Sequence, residues 1–493
     1  MATLLFFSFE KRFILITYIE KIQKIQNRNY FMKIGFKHIA QFCVLLSLIA
    51  FFFLPGDKIS ISADKTPSQS IVRLKSALLL QVNYASLIGD SGLTDFKNSL
   101  TNSKLETTPT IKDNMGYSEI ATVKTKKVPL TGNLEQMKYF YEALKTSKTK
   151  TLRIAHIGDS AIFGDVISEY LRLNFQEKFG GNGQGFISMI NNNDAYARRI
   201  TKNTYSNDWQ VYSILKRYPG KLPLGLNGSV FIPTNESWAK FETKRDFNAY
   251  KYFKTARLFY SNGKNNSLAK YSFNNGTPQS LKLKEGENVN IGEMSYPSGA
   301  TSLKLNFNVC ESSYFYGISL ENGVGLYLDN FPFVGNSGIS LREMPMNVLK
   351  DFNELQNYKL IIIQFGANVL SPEHNDYTWY ATQMEKVINY FKQAFPNASI
   401  IIVGMSDKIE KKNFSLLTDP KVFSLIQAQK SLAKKTNVAF WNYFEAMGGA
   451  NSMIEWVNAN PPLANKDYLH LTNKGGKKIA DLLTEAIMNE YYK

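Results

Sequence analysis

The chain has 493 residues, 44% hydrophobic and 13% aromatic, more than one typical domain needs and enough to bury a substantial core. Lys and Arg number 58 against 41 Asp and Glu, a formal net charge of +17. No nucleic-acid motif accompanies the scattered positive residues, so the excess suits an anionic glycan or membrane surface, or simply a solvated basic face. Two cysteines, Cys43 and Cys310, and four histidines exclude a disulfide framework and leave no metal cluster to build.

Residues 39–54 are almost wholly apolar, preceded by Lys33, Lys37 and His38 and followed by Pro55-Gly56-Asp57. A basic flank, an apolar run and a polar exit predict a secretory signal peptide or an uncleaved membrane anchor. The run is shorter than the ~20 residues of a full span. Ser60 and Ala63 offer small residues for cleavage, and Met32 stands directly before the basic flank as an alternative start. The expectation for residues 1–63 is therefore export, with the rest of the chain periplasmic or in the cell envelope. Residues 64–130, rich in Ser, Thr and Lys with one helical pattern around 71–88, read as a polar tether.

A helix is expected around 134–144. Residues 151–157 then alternate in polarity and end in Gly158-Asp159-Ser160, after which Val166, Tyr170, Phe175 and Phe179 recur at helical spacing. Strand, tight turn and helix would present the Ser160 hydroxyl at the C-terminal edge of a parallel sheet, where open α/β folds place their chemistry. A second Gly-Asp-Ser, at Gly89-Asp90-Ser91, lacks both the strand and the helix. About 200 residues separate Ser160 from Asn368, where a strand–helix–strand unit needs only ~30, so something is inserted.

Between 195 and 318 the pattern changes to alternation, as in 302–309, with turn signals at Asn262-Gly263, Asn275-Gly276 and Glu285-Gly286. This predicts a β-sandwich-like domain of short strands. Its Trp209, Trp238, Tyr250, Tyr252, Tyr260 and Tyr271 could form either its core or a sugar-stacking surface. Residues 359–365 read as a buried strand that runs into Gly366-Ala367-Asn368. Further strands at 399–403 and 438–441 are separated by a helix at 422–435, and a helical pattern (Ile479, Leu482, Leu483, Ala486, Ile487) follows Asp467 and His470. Strands alternating with helices predict a parallel three-layer α/β sandwich, its two parts spanning 131–194 and 319–493.

The chemistry follows from the residue types. A serine hydroxyl needs a base to take its proton, and the base needs a third group to hold its tautomer. His38 lies in the N-terminal segment, His156 inside the first strand, and His374 in a loop after Ser371-Pro372-Glu373. His470 remains as the best base, with Asp467 three residues before it to orient the ring. Oxyanion donors are expected from the Asn368 side chain, the Ser160 N–H and a glycine within 333–338.

The Gly-Asp-Ser, Gly-Ala-Asn and Asp-Tyr-Leu-His islands together resemble the blocks of the SGNH (GDSL-type) hydrolases. Their flanks at 156–160, 175–186, 316–322 and 467–472 resemble bacterial peptidoglycan O-acetylesterases with an inserted β-domain. The resemblance implies an α/β/α SGNH sandwich carrying that insert, which would be carbohydrate-binding-like. It also implies a catalytic Ser160, His470 and Asp467, and an oxyanion hole of Ser160, Gly338 and Asn368, with Gly338 preferred to Gly335. Neither cofactor nor metal is needed, and the partner would be an acetylated polysaccharide or peptidoglycan. Two positions depart from the family pattern and bear on the acyl group and substrate: Ala161, where histidine is common, and Val369, where an acidic residue is common. An O-acetylesterase is expected. An O-acetyltransferase, or a non-catalytic envelope-binding protein using the insert, are the alternatives.

Overall fold

Short buried runs, β-branched at 361–363 and 400–403, build the central sheet of this computed structural model, which describes residues 123–493 apart from 192–200, 217–219, 235, 245–249, 265, 311 and 413–414. The apolar segment 39–54 with His38 and Cys43, nearly all of the tether and Gly89-Asp90-Ser91 lie outside the described residues. Among the described residues no helix is long and apolar enough to cross a membrane.

The sheet contains β1 (Thr131–Gly132), β2 (Leu152–Gly158), β3 (Leu326–Pro332), β4 (Tyr358–Gln364), β5 (Ser399–Val403) and β6 (Ala439–Trp441), in the order β1-β6-β5-β4-β2-β3. Its pairings are parallel except for the short β1, which runs antiparallel to β6. Gly158 at the end of β2 lies opposite Pro332 on one side and Gln364 on the other. Three chain segments therefore leave the sheet at one level, and that edge collects the polar turns.

The helices are α1 (Lys138–Lys145), α2 (Ser168–Phe179), α3 (Met346–Gln356), α4 (Thr378–Ala394), α5 (Lys421–Lys435), α6 (Tyr443–Met447), α7 (Ser452–Asn458) and α8 (Asn473–Tyr491). Alternate side chains of β2 go to opposite faces, as the period of a strand requires. Leu152 and Ile154 join one apolar cluster with residues of α1, α2 and α8; Ala155 and Ile157 join another with α3, α4 and α5. Both clusters are built from fully buried Leu, Ile, Val and Phe, each contributing roughly 1.5–3 kcal/mol on burial. The predicted heptad-like set in α8 (Ile479, Leu482, Leu483, Ala486, Ile487) is buried throughout. The helix expected straight after Ser160 is delayed. Residues Ser160–Asp165 form a kinked 3-10 segment, and α2 begins only at Ser168.

The segment between β2 and β3 forms two antiparallel sheets. One orders Gln279–Lys282, Leu268–Phe273, Ser302–Val309, Trp238–Thr243 and Thr201–Tyr205; the other orders Asn290–Ala300, Phe253–Ser261, Tyr314–Glu321, Ser229–Ile232 and Gln210–Ser213. Phe241, Leu303 and Phe307 of the first and Leu258, Phe315 and Ile318 of the second share one apolar cluster. Strand Gly183–Ser188 also pairs with Tyr314–Glu321, so the second sheet reaches past residues 195 and 318 at both ends. Cys310 is buried and free here, and burial pushes its thiol pKa up to about 12.

Candidate active site

Ser160, His470 and Asp467 meet at the C-terminal edge of the sheet. His470 Nε2 lies 2.8 Å from Ser160 Oγ and Nδ1 lies 2.8 Å from Asp467 Oδ2. With Nδ1 donating to the carboxylate, the ring presents its Nε2 lone pair to the Ser160 hydroxyl. Asp467 Oδ1 accepts the backbone N–H groups of Leu469 (3.1 Å) and His470 (3.0 Å), which fixes the carboxylate in its own turn. Partial burial would raise the Asp467 pKa. Hydrogen bonds from the His470 ring and from these two amides outweigh it and hold the carboxyl below its ordinary value.

Local sequence explains how the loop reaches the serine. Thr472 caps α8, its Oγ1 accepting from Gly475 N at 3.3 Å. Gly476 then lets the first turn of α8 press onto the Ser160 segment: a Cβ there would stand 1.9 Å from Val166 O. On the serine side, Gly164 (φ 61°) and Asp165 (φ 68°) are left-handed and bend the chain away, so the hydroxyl stays half-exposed at the start of the 3-10 segment. The Ser160 N–H heads that segment, where the backbone donors have no acceptor within their own helix. A cleft of about 480 Å³ lies over Ser160 and His470, walled by Phe163, Gly164 and Val334.

Asp159 is a buried carboxylate that the sequence reading did not single out. Its Oδ1 accepts from Ala161 N at 2.9 Å and its Oδ2 from Gly366 N at 3.1 Å, tying the serine turn to the turn before Asn368. Burial raises its pKa, and those amide hydrogen bonds oppose the shift. The only available signal was its place inside the Gly-Asp-Ser island.

Gly338 and Asn368 converge on a third residue, Asn336. Gly338 N donates to Asn336 Oδ1 at 2.7 Å, and Asn368 Nδ2 donates to Asn336 O at 3.2 Å. The Gly338 N–H is thus engaged within its own turn, whereas an amide group has a second N–H to offer. Gly338 is left-handed (φ 91°) and closed in, a Cβ there meeting the Phe365 ring at 3.0 Å and Met384 at 3.1 Å. Gly335 (φ 77°) faces open space.

Beneath the serine turn lies a second group missed from sequence. His156, fully buried in β2, has Nδ1 2.8 Å from Ser168 Oγ and Nε2 3.0 Å from the Gln364 side chain. Ser168 Oγ donates to Asn330 Oδ1 at 3.1 Å, and Asn330 Nδ2 donates to Ile162 O at 3.0 Å. Because Ser168 spends its proton on Asn330, it accepts from Nδ1–H of His156. A neutral ring then presents a lone pair at Nε2, where Gln364 Oε1 stands while its amide nitrogen lacks a partner; turning the Gln364 amide over satisfies both. Desolvation holds the His156 pKa down at about 4, so the ring is neutral, and both its nitrogens are engaged in this buried network. A histidine between Ala155 and Ile157 of a buried strand was the signal.

His374 sits exposed in a turn beside Trp379, away from the triad residues. The six insert aromatics divide. Tyr250 and Tyr260 are core, Trp209 packs on Phe307 with ring centroids 5.0 Å apart, and Tyr252 is exposed. Lys304 lies over the half-exposed Trp238 ring, and Tyr271 bonds Gln279 through its hydroxyl at 2.7 Å.

A parallel sheet with helices on it carries an inserted pair of antiparallel sheets, and a Ser–His–Asp chain lies at the sheet edge. Among solved structures, the chain is similar to one described as a peptidoglycan O-acetylesterase in action, 5 min, with TM-score 0.60, 20% identity, and coverage of 74% of this chain and 99% of that one. A family two carbohydrate esterase from Cellvibrio japonicus (10% identity, 60% of this chain, 100% of that one) and an acetyl xylan esterase (18%, 33% and 81%) each have TM-score 0.24, too low to add support. No family model matches the chain, and no curated protein does.

Proposed function

We propose that this protein is an exported serine esterase that removes O-acetyl groups from a cell-envelope polysaccharide, with peptidoglycan as its substrate. The observation that carries the reading is the unbroken hydrogen-bonded chain from Asp467 through His470 to Ser160. Ser160 Oγ attacks the acetyl carbonyl while His470 Nε2 takes its proton and Asp467 stabilises the imidazolium. The tetrahedral oxyanion draws on the Ser160 N–H, the Asn368 amide and Gly338 once its N–H leaves Asn336. His470 returns the proton to the departing sugar hydroxyl. Water, activated by the same ring, then frees acetate from the acyl-serine. The three-layer arrangement expected from sequence is consistent with the two apolar clusters flanking the sheet. Export is supported by the basic-apolar-polar pattern around 39–54. Peptidoglycan as substrate is supported by the flanking motifs and by the fold shared with a peptidoglycan O-acetylesterase.

The test is acetate release by the full-length chain from O-acetylated peptidoglycan, beside acetylated xylan and p-nitrophenyl acetate. Faster release from peptidoglycan is expected. Turnover of the small ester with none of either polymer would overturn the polysaccharide reading, and transfer of acetyl to an added glycan in preference to water would make it a transferase.

A further inference from the structure

Gly164 and Val334 wall the cleft over Ser160 and also one end of a second cleft, of about 420 Å³, that opens between the core and the insert. Both volumes fall in the ~300–1,000 Å³ range of small-ligand sites. The second cleft is lined on its insert side by Ser188, Asn191, Lys216 and Ser229. Asn227 Nδ2 donates to Ser188 Oγ at 2.7 Å and to Tyr316 O at 3.1 Å, which fixes the Ser188 hydroxyl as an acceptor from behind. Its own proton is left to donate into the cleft. Among the described residues the hydroxyl of Ser229 and the side chain of Asn191 have no partner, and no acid pairs with the exposed Lys216. Leu215 adds a 43% exposed apolar surface suited to the C–H face of a sugar ring. The cleft thus offers neutral donors and acceptors, an apolar patch and one exposed cation, its one carboxylate, Asp165, being buried and paired with Arg172, and it has no exposed aromatic platform.

We propose that the two clefts form one groove, and that the second cleft is a subsite for the glycan flanking the acetylated sugar. Ser188, Asn191 and Ser229 hydrogen-bond its hydroxyl and acetamido groups, and Lys216 pairs with a carboxylate carried by the chain. The proposal rests on the polysaccharide esterase reading and deepens it: the preferred substrate is an anionic glycan, its negative charge displaced from the ester by the length of the groove. The insert would contribute through this polar wall and not through the aromatic residues of its sandwich.

The test compares Lys216→Glu and the double variant Ser188→Ala/Ser229→Ala with the unaltered full-length chain. The substrates are O-acetylated peptidoglycan fragments bearing stem peptides, neutral acetylated xylan, and p-nitrophenyl acetate. Lys216→Glu is expected to raise KM about tenfold on the carboxylate-bearing fragments alone, the loss of one charge-assisted contact. The double serine variant is expected to raise KM on both polymers and leave p-nitrophenyl acetate unchanged. KM unchanged on every polymer, or equal losses on polymers and small ester, would overturn the subsite. If the unaltered chain ignores peptidoglycan but cleaves xylan acetate, the peptidoglycan reading fails while the serine variant still decides the groove.

Discussion

Ser160, His470 and Asp467 are already joined through two 2.8 Å hydrogen bonds, whereas Gly338 and Asn368 direct hydrogen bonds to Asn336. The proton-transfer side of the site is joined end to end, while on the oxyanion side Asn336 holds the Gly338 N–H and one N–H of Asn368. The difference follows from where each half is held. Asp467 is fixed by two amides of its own turn and Asp159 by amides of two strand ends, so these groups have no competing partner. The Asn336 turn is a single loop between β3 and α3, and Asn336 Oδ1 and O hold the Gly338 and Asn368 donors until a stronger acceptor arrives. A developing oxyanion is such an acceptor, because hydrogen bonds to charged groups are roughly twice as strong as neutral ones.

Removing the nucleophile tests the assembled half most severely. Ser160→Ala is expected to lower kcat on p-nitrophenyl acetate by about 10⁶, and Asp467→Ala by about 10⁴, with unchanged thermal unfolding midpoints. Retained activity in Ser160→Ala would relocate the nucleophile, with Ser91 the next residue to test.

The donor half is next in size. Asn368→Ala should reduce kcat by ~10²–10³ with little change in KM, since its amide gains a charged partner only in the transition state. Full activity in that variant would strip Asn368 of its role and leave the oxyanion to backbone donors.

The buried support under the serine turn has its own signature. The folded-state pKa of His156 lies near 4, below its ordinary value of ~6.5, so the unfolded chain takes up a proton first as pH falls. Stability tied to this group is full above about pH 6.5 and declines toward pH 4, by at most ~3 kcal/mol. Denaturant melts between pH 5 and 6.5 should show that slope, and His156→Gln should flatten it. An equal slope in both proteins would mean that His156 does not titrate on unfolding.

The smallest effect separates the two glycines. Gly338→Ala should cost ~1–3 kcal/mol, from its left-handed backbone and the contacts with Phe365 and Met384, and should lower kcat as well. Gly335→Ala, facing open space, should cost only the backbone term of ~1–2 kcal/mol and spare kcat. Reversed kcat effects would move the oxyanion donor to Gly335.

Much of this arrangement was legible in the chain. The run at 399–403 is strand β5, the residues spaced along α8 are its buried face, and the alternation at 302–309 is a strand of the insert. The kinked segment before α2 was not legible, because nothing in the residue pattern marks the left-handed turn at Gly164 and Asp165 that holds the helix off until Ser168. Nor were the fates of the insert aromatics: Tyr250 and Tyr252 are two residues apart, yet one is buried and the other exposed. An aromatic ring serves a core and a binding face equally well, so its residue type does not decide.

Sequence by itself indicated strands β2, β4, β5 and β6, helices α1, α2, α5 and α8, the candidate nucleophile, base and acid that the fold brings together, and the presence of an insertion. Those depend on local periodicity and on residue chemistry, which are written position by position. Only the tertiary structure decided that Asn336 occupies the Gly338 N–H and that Asp159 ties two strand ends together. It alone placed His156 as a neutral hub under the serine turn and set an insert wall beside the triad's cleft. Each of these joins residues far apart in the chain or depends on the direction of one hydrogen bond. The long-range contacts are set by how the strands register in the sheet, and no local pattern encodes that.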